Sequence, residues 1–552
     1  MKKLKKLFAV MLSLIMVLAM GITSFAADNV IGNSDDTAGI KVTDIDNATS
    51  VTAYPIIKTT YGTNGDFNGY EPLYTTDPAI QVTKKADNTL EYTLSTEQIA
   101  QIRKNLNTDG AVTMNPEAEE STTYTATAPL GAYLVVVEGS ETSTYNAMVV
   151  STNYKNVGGV NTIYTGKNTA TAKKSTKPTL DKNIKNADAT TKHNTVNIGD
   201  VINYEVSVAN IPEYTGRYPV FNVVDTLSQG LTFNGEDVTV TVNGTTLTKD
   251  VDYKFTKEGQ KITINFVDTS LTATGKTEYG YTLNNYKGQN MTIAYSATVN
   301  ENAKLNEVGN QNDAILTYSK DSTVNDNNGT DEKKTHSYTF DIDGSVEGTA
   351  SVIPVDVTHI LNKIGEEVKK IEVNGEEVEV KAALEGAEFT VYTDEACTVR
   401  YQQGGKAYPV VRSTAAGQIE LKGLAASTYY IKETKAPVGY SVNATPVKVE
   451  ITDLKFNDKD ELTGWTIKVN DNEIASFVYG TNEGGKTEFV RSDKITKDNS
   501  TEFNQGYDIL NTKIASLPAT GGIGTTIFTI VGCGIMIAAA GLFFASRRKE
   551  NR

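Results

Sequence analysis

Period-two alternation of apolar and polar residues dominates this chain. VINYEVSV places Ile202, Tyr204, Val206 and Val208 on one side of an extended segment. DVTVTVNGTTL carries Val238, Val240 and Val242 into Asn243-Gly244, a dipeptide suited to a tight hairpin. Such alternation predicts half-buried strands packed into β-sandwiches. One stretch departs from it. In STEQIAQIRKNL, Ser95 is followed three residues on by Gln98, and Ile99, Ile102 and Leu106 recur at helical spacing, so a single capped helix is predicted there. No exact internal repeat is present, which excludes a solenoid.

Two polar stretches interrupt the alternation. TGKNTATAKKSTKPT around 166–179 has no large apolar residue and reads as a linker, and DSTVNDNNGTDEKKTH at 321–336 reads as an exposed loop. They suggest domains at 28–172, 173–345 and 346–515, in keeping with a length too great for one core.

The two ends follow another pattern. MKKLKKLFAVMLSLIMVLAMGITSFAA has four lysines, an apolar stretch and small residues spaced for cleavage after Ala26 or Ala27, so residues 1–27 are predicted to be a signal peptide and the chain to be secreted. From Ile523 to Ala545 no residue is charged, and at a helical rise of ~1.5 Å per residue that run is long enough to cross a bilayer. Arg547, Arg548 and Lys549 follow at once and belong on the cytoplasmic side, which puts everything before the span outside. Leu517-Pro518-Ala519-Thr520-Gly521 stands just ahead of it. This three-part tail, 517–552, resembles the LPXTG cell-wall sorting signal of Gram-positive surface proteins. The resemblance implies that a sortase cuts between Thr520 and Gly521 and joins the threonine carbonyl to an amine, the span being only a temporary hold in the membrane.

Charge and cysteine content narrow the functions. Without the signal (net +4 through Ala26) and the tail (net +3 from Gly521), the formal −15 becomes −22, a surface that repels nucleic acid. Cys533 lies in the apolar tail, so the mature segment keeps only Cys397 and cannot form an internal disulfide. Any covalent reinforcement must be of another kind.

Motifs for turnover fail on inspection. GTNEGGKT at 480–487 matches the phosphate-loop pattern, but TEFVRSDKITKD after it has no helical apolar stripe, and a glycine-rich hairpin turn fits better. Asp326-Asn327-Asn328-Gly329 hints at a calcium loop, yet Val324 occupies a ligand position. His193, His336 and His359 lack metal-ligand spacing, and no Ser or Cys stands in a nucleophile motif. No metal, no cofactor and no turnover of an external substrate are expected.

KPTLDKNI, NIGDVINYEV, VVDTLSQGLTF, MTIAYSATVNENA and VGNQNDAILTYS resemble the isopeptide-forming second domain of sortase-assembled fimbrial major pilins. LEGAEFTVYTDEAC, GQIELKGLAASTYYIKETKAPVGY and YDILNTK are similar to the last domain of the same pilins and to the B-type repeats of collagen adhesins. The resemblance covers most of residues 173–522 and implies an all-β fold of tandem immunoglobulin-like, B-type sandwiches, with internal Lys–Asn amide bonds. Strand parity can be set beside it. Lys182 alternates with Leu180 and Ile184, Asp225 with Phe221, Val223 and Leu227, and Asn312 with Ala314, Leu316 and Tyr318, so all three polar groups are expected to point inward. In the third segment Lys363 is in phase with Val357, His359 and Leu361, Glu433 with Tyr429 and Ile431, and Asn511 with Tyr507 and Ile509, although Lys369, Lys370 and Lys381 remain alternatives to Lys363. An unprotonated buried lysine could attack the carboxamide while Asp225 or Glu433 polarises it. In the first segment only Lys58 has a suitable phase, with Tyr54 and Ile56, and no acid or Asn accompanies it.

The function these readings imply is a shaft subunit of a covalent pilus in the cell wall. The rival is a monomeric wall-anchored adhesin. The resemblance implies as partners further copies of the chain, pilus-specific and housekeeping sortases and peptidoglycan, and it admits minor pilins and a host surface ligand. It also places an acceptor lysine in the linker, where Lys174 is favoured over Lys173 and Lys177.

Overall fold

The computed structural model describes residues 32–514, apart from 187–189, 307, 344–358, 374–375, 482–486 and 492–505, together with the helix Gly524–Glu550. The predicted signal peptide 1–27 and the LPATG motif at 517–521 lie outside the described residues. Strands dominate.

In the N-terminal part the strand Thr37–Thr43 reads TAGIKVT, and alternation buries Ala38, Ile40 and Val42. It pairs antiparallel with Tyr124–Pro129 and parallel with Thr169–Thr171. Facing it is a sheet in the order Val160–Lys167, Met148–Val157, Gly131–Glu138, Ser50–Tyr61, Phe67–Pro72. The helix Thr96–Lys104 packs Ile102 against Ile56, Ile57 and Leu134. Its capping box is complete: Gln98 N–H donates to Ser95 Oγ at 3.1 Å, and Ser95 N–H donates to the Gln98 side chain at 2.8 Å.

The central part is a sandwich of two six-stranded sheets. One has the order Thr190–Thr191, Thr179–Lys185, Val201–Ala209, Met291–Val299, Leu231–Val242, Thr245–Thr246, and the other His193–Thr195, Asn328–Tyr338, Asn310–Ser319, Phe221–Leu227, Lys261–Asn265, Lys254–Glu258. Asn243 and Gly244 both have positive φ, 47° and 80°, as the two-residue turn into Thr245–Thr246 requires.

A seven-stranded sheet holds the C-terminal part, faced by the three strands Glu376–Ala383, Leu361–Val373 and Tyr507–Asn511. Its core includes Tyr338, Phe340 and Ile342, so the strand Asn328–Tyr338 that ends the central sheet leads straight into the third core, and Phe340–Ile342 pairs there with Leu421–Leu424. Asn472–Thr481 and Thr487–Arg491 form an antiparallel hairpin across the phosphate-loop-like GTNEGGKT, whose residues 482–486 are outside the described ones.

Two stretches differ from the sequence reading. The presumed linker 166–179 is largely extended and paired: Lys174–Thr176 runs antiparallel to Ser143–Tyr145, and Thr169–Thr171 joins the first sheet. The interior positions there are small, Ala172 and Ser175, so burial leaves no trace in the pattern of large apolar residues. The presumed loop 321–336 is a strand from Asn328 onward, and Asp321, Ser322 and Thr323 are buried. They face the first domain. Arg103 on the helix donates to Asp321 at 2.8 Å with both side chains nearly dry, and Ser322 Oγ meets Asn146 Oδ1 at 3.3 Å.

The apolar tail is helical over Gly524–Glu550. Among the described residues no helix is long and apolar enough to cross a membrane. The apolar run 523–545 extends beyond the described side chains, which in this helix begin at Phe528.

The Arg103–Asp321 pair should matter more than surface pairs do. Asp321→Ala leaves a guanidinium buried without its counter-charge, a loss of about 3–5 kcal/mol unless the two domains part and hydrate it. Small-angle scattering of the Asp321→Ala chain is therefore expected to show a larger radius of gyration than the parent; an unchanged profile with unchanged melting would mean the pair does not hold this joint.

Candidate functional site

Each of the two larger sandwiches encloses a lysine, an acid and an asparagine. In the central one, Thr179–Lys185 has the burial pattern of a strand with one dry face, and Lys182 sits on that face between Leu180 and Ile184. Asp225 and Asn312 come from the opposite sheet. Their strands are neighbours, with Leu227 paired to Asn312 and Asp225 to Ala314, so the two side chains lie one step apart on the same face. Lys182 and Asn312 are fully buried and Asp225 is 1% exposed.

Lys182 Nζ contacts Asp225 Oδ2 and donates to Tyr295 Oη at 2.8 Å. Tyr295 Oη donates in turn to Asp225 Oδ2 at 2.6 Å and accepts from Asn312 Nδ2 at 2.8 Å. The amine also lies 5.3 Å from the ring centroid of Tyr204 and 5.5 Å from that of Tyr295. Asp225 Oδ1 and Asn312 Oδ1 have no hydrogen-bond partner. Burial lowers the Lys182 pKa even though Asp225 opposes it, and burial raises that of Asp225 against the pull of Lys182 and Tyr295. The dry core thus favours a free amine beside a protonated acid. That proton and the unpartnered Asn312 carbonyl are complementary.

The C-terminal cluster uses the same residue types with different wiring. Lys363 on Leu361–Val373 runs parallel to Tyr507–Asn511, with Lys363 opposite Ile509 and Gly365 opposite Asn511. Lys363 Nζ donates to Ile509 O at 2.9 Å, contacts Asn511 Oδ1, and lies 3.3 Å from Glu433 Oε2. Asn511 Nδ2 donates to Glu433 Oε1 at 2.7 Å, and Asn443 N–H donates to Glu433 Oε2 at 3.0 Å. Burial again lowers the lysine's pKa against the nearby carboxylate. Lys369, Lys370 and Lys381 are exposed and apart from this cluster. Lys58, in the first domain, is half exposed and pairs with Glu71 at 3.2 Å.

Tyr295 escaped the sequence reading although a signal was there: MTIAYSATV alternates Met291, Ile293, Tyr295, Ala297 and Val299 inward. A phenol among small apolar residues on an interior strand needs a polar partner, and that demand could have singled it out.

The linker lysines are not equivalent. Lys174 Nζ is clamped between Asp44 Oδ1 at 2.6 Å and Asp46 Oδ1 at 3.0 Å. Burial would lower its pKa, but the two carboxylates outweigh that and raise it, so its charged form is favoured. Lys173 is exposed. Lys177 lines a groove between the first two domains with Glu141, Thr176, Asn210, Thr330 and Asp331. Among the described residues no cluster of His, Cys, Asp and Glu could hold a metal ion; His193 stacks on Phe456 at 3.7 Å, and His336 and His359 are buried elsewhere.

Comparison with known proteins places three family models on the chain: a Gram-positive pilin backbone subunit 2, Cna-B-like domain at 198–322, a prealbumin-like fold domain at 369–463, and an LPXTG cell wall anchor motif at 510–552. The trypsin-resistant surface T6 protein of Streptococcus pyogenes serotype M6 is 26% identical, over 98% of this chain and 99% of that protein. The solved T6 backbone pilin of serotype M6 Streptococcus pyogenes, described as a modular three-domain structure decorated with variable loops and extensions, superposes with a TM-score of 0.51 at 21% identity, covering 87% of this chain and 99% of that one. The full-length major pilin SpaD of Corynebacterium diphtheriae gives a TM-score of 0.45 at 16% identity, covering 88% and 99%.

Removing the Tyr295 hydroxyl tests the wiring of the central cluster. Tyr295→Phe keeps the ring but takes a partner from Lys182, Asp225 and Asn312 together, and each buried polar group left unsatisfied costs about 1–3 kcal/mol. Urea unfolding of the variant should show a lower midpoint with an unchanged slope; equal midpoints would mean that the hydroxyl is dispensable.

Proposed function

We propose, for a chain that is a sortase-assembled backbone pilin of Gram-positive bacteria and a structural subunit of a cell-wall pilus shaft, that its two buried clusters form internal amide crosslinks, Lys182–Asn312 and Lys363–Asn511. What supports this reading is the enclosure of an amine, a carboxyl group and a carboxamide in one dry space, twice, on unrelated stretches of sequence. The neutral Lys Nζ attacks Asn Cγ. As the new C–N bond forms, the acid beside the carboxamide polarises it, Asp225 through the proton that burial helps it keep, and so stabilises the charge gathering on the oxygen. Collapse breaks the Cγ–Nδ2 bond; the proton lost by the amine passes to the departing nitrogen by way of the acid, and ammonia leaves. The acid ends as it began, so each core acts once on itself. Asp225 and Glu433 are the catalytic groups, and Tyr295 positions Asp225 and Asn312.

The polymer is built through Thr520. A sortase transfers its carbonyl to a lysine of the next copy, and a second, housekeeping transfer attaches the base of the shaft to peptidoglycan. Sequence alone favours Lys174 as acceptor, but its ion pairs with Asp44 and Asp46 hold it charged and occupied. Lys177 makes no ion pair among the described residues and lines a groove that could receive an extended peptide. The acceptor assigned here is Lys177.

Intact mass of the recombinant mature segment should fall short of the calculated mass by one ammonia per crosslink. Asp225→Ala should restore the ammonia of the central bond alone and Glu433→Ala that of the last bond alone; the full calculated mass for the parent chain rules out both crosslinks.

For polymerisation, Lys177→Arg keeps the charge but removes the usable nucleophile. The heat-resistant ladder on a denaturing gel of wall extract is expected to collapse to monomer in Lys177→Arg and to persist in Lys174→Arg. The reverse outcome would return the role to Lys174.

A further inference from the structure

The C-terminal domain carries a projection that the crosslinks do not use. Leu361–Val373 pairs with Tyr507–Asn511 only as far as Gly365, opposite Asn511. Beyond Gly365 it continues to Val373 and pairs only with Glu376–Ala383, and among the described residues no third strand joins this ribbon. Glu366, Glu367, Val368, Lys369 and Lys370 are all exposed, Val368 at 57%. A two-stranded ribbon is marginally stable alone in water.

The register divides the ribbon. Positions of one parity pair Ile371 with Val378 and Lys369 with Val380, whereas those of the other pair Lys370 with Glu379 and Glu372 with Glu377. One parity therefore holds Ile371, Val373, Val378 and Val380 beside Lys369 and Glu376, and the other is charged apart from Val368.

Direction and reach decide what such a ribbon can meet. Because Leu361–Val373 and Tyr507–Asn511 are parallel, the ribbon starts at the same end of the domain, and in the same sense, as the strand that leads in sequence to Thr520. They also start together: Lys513 N–H donates to Glu366 at 3.1 Å, and Lys513 Nζ contacts Glu367. From Gly365 to Val373 the ribbon advances about 26 Å at ~3.3 Å per residue. From Asn511 to Thr520 the chain can reach at most about 30 Å. Whatever is joined to Thr520 is thus tethered at a distance comparable to the ribbon's length.

We infer that the ribbon is a docking finger for a second copy of this chain: it lies against the next subunit beside that subunit's acceptor segment 173–177 and flanks the covalent junction. This rests on the Thr520-to-lysine connection proposed above. The occupant is a second copy because the strand beside which the finger starts, Tyr507–Asn511, leads in sequence to Thr520, the residue that carries the next subunit.

A photo-crosslinking amino acid in place of Val368 tests the contact in the full-length, sortase-polymerised protein. This position is exposed, so the change should leave folding intact. Irradiated polymer is expected to yield crosslinked peptides joining position 368 to the first or central domain of a neighbouring copy, and these should be lost in the same chain carrying Thr520→Ala. A ladder that forms normally while position 368 reacts only within its own chain, or not at all, overturns the finger and leaves the linkage standing. Crosslinks that persist undiminished with Thr520→Ala overturn it too, since the contact would not belong to the junction. If the parent chain forms no ladder, the linkage fails and the finger with it.

Discussion

Two lysine amines buried away from solvent dominate the energetics of this molecule. Neither Lys182 nor Lys363 has measurable exposure. A charged ammonium in such a place costs several kcal/mol that an ion pair only partly returns, and hydrophobic replacements of buried pairs are often no less stable. Two such sites in adjacent domains are hard to explain as stabilising contacts. Converting amine and carboxamide into an amide and ammonia removes the ionisable amine and leaves a neutral bond in its place. The arrangement is strained as an ion pair and natural as a precursor.

The two clusters reach that condition by different routes. The central one uses a phenol as relay: Tyr295 gathers the amine, the acid and the carboxamide at one oxygen, and it leaves Asp225 Oδ1 and Asn312 Oδ1 open. The last one has no such relay. There Glu433 is long enough to touch both amine and carboxamide, and the backbone carbonyl of Ile509 accepts from Lys363. A longer acid in one core and a shorter acid with a tyrosine in the other fill similar gaps.

Much of this was legible in the sequence because strands have period two. Once Lys182, Asp225 and Asn312 shared phase with their apolar neighbours, their inward orientation followed, and the Ser95–Gln98 cap likewise announced its helix. What stayed hidden was carried by small or polar residues and by contacts distant along the chain. Ala172 and Ser175 are buried without a large side chain to mark them, so a paired segment read as a linker. Asp321 and Ser322 looked like solvated loop residues because Arg103 and Asn146, which they meet, are far away in sequence. Periodicity reports a strand's own faces; it carries no information about what a neighbouring domain will cover.

The positions of the two proposed crosslinks make mechanical sense only with the acceptor near 177. Tension would then enter a subunit at the acceptor lysine and leave through Thr520. From 177 it reaches Lys182 within one strand, passes through the proposed bond to Asn312, and so bypasses residues 183–311. It would cross into the third domain along Asn328–Tyr338 and Phe340–Ile342, which run from the central sheet into the third core, then pass from Lys363 to Asn511 and bypass residues 364–510. Residues 32–172 stand off this line altogether. A domain that bears no load gains nothing from an internal covalent bond, and its one candidate, Lys58, is a half-exposed residue in a surface ion pair. Such a domain is instead held to the shaft by noncovalent contacts such as Arg103–Asp321, which need only fix its orientation and never carry the pull of the fibre.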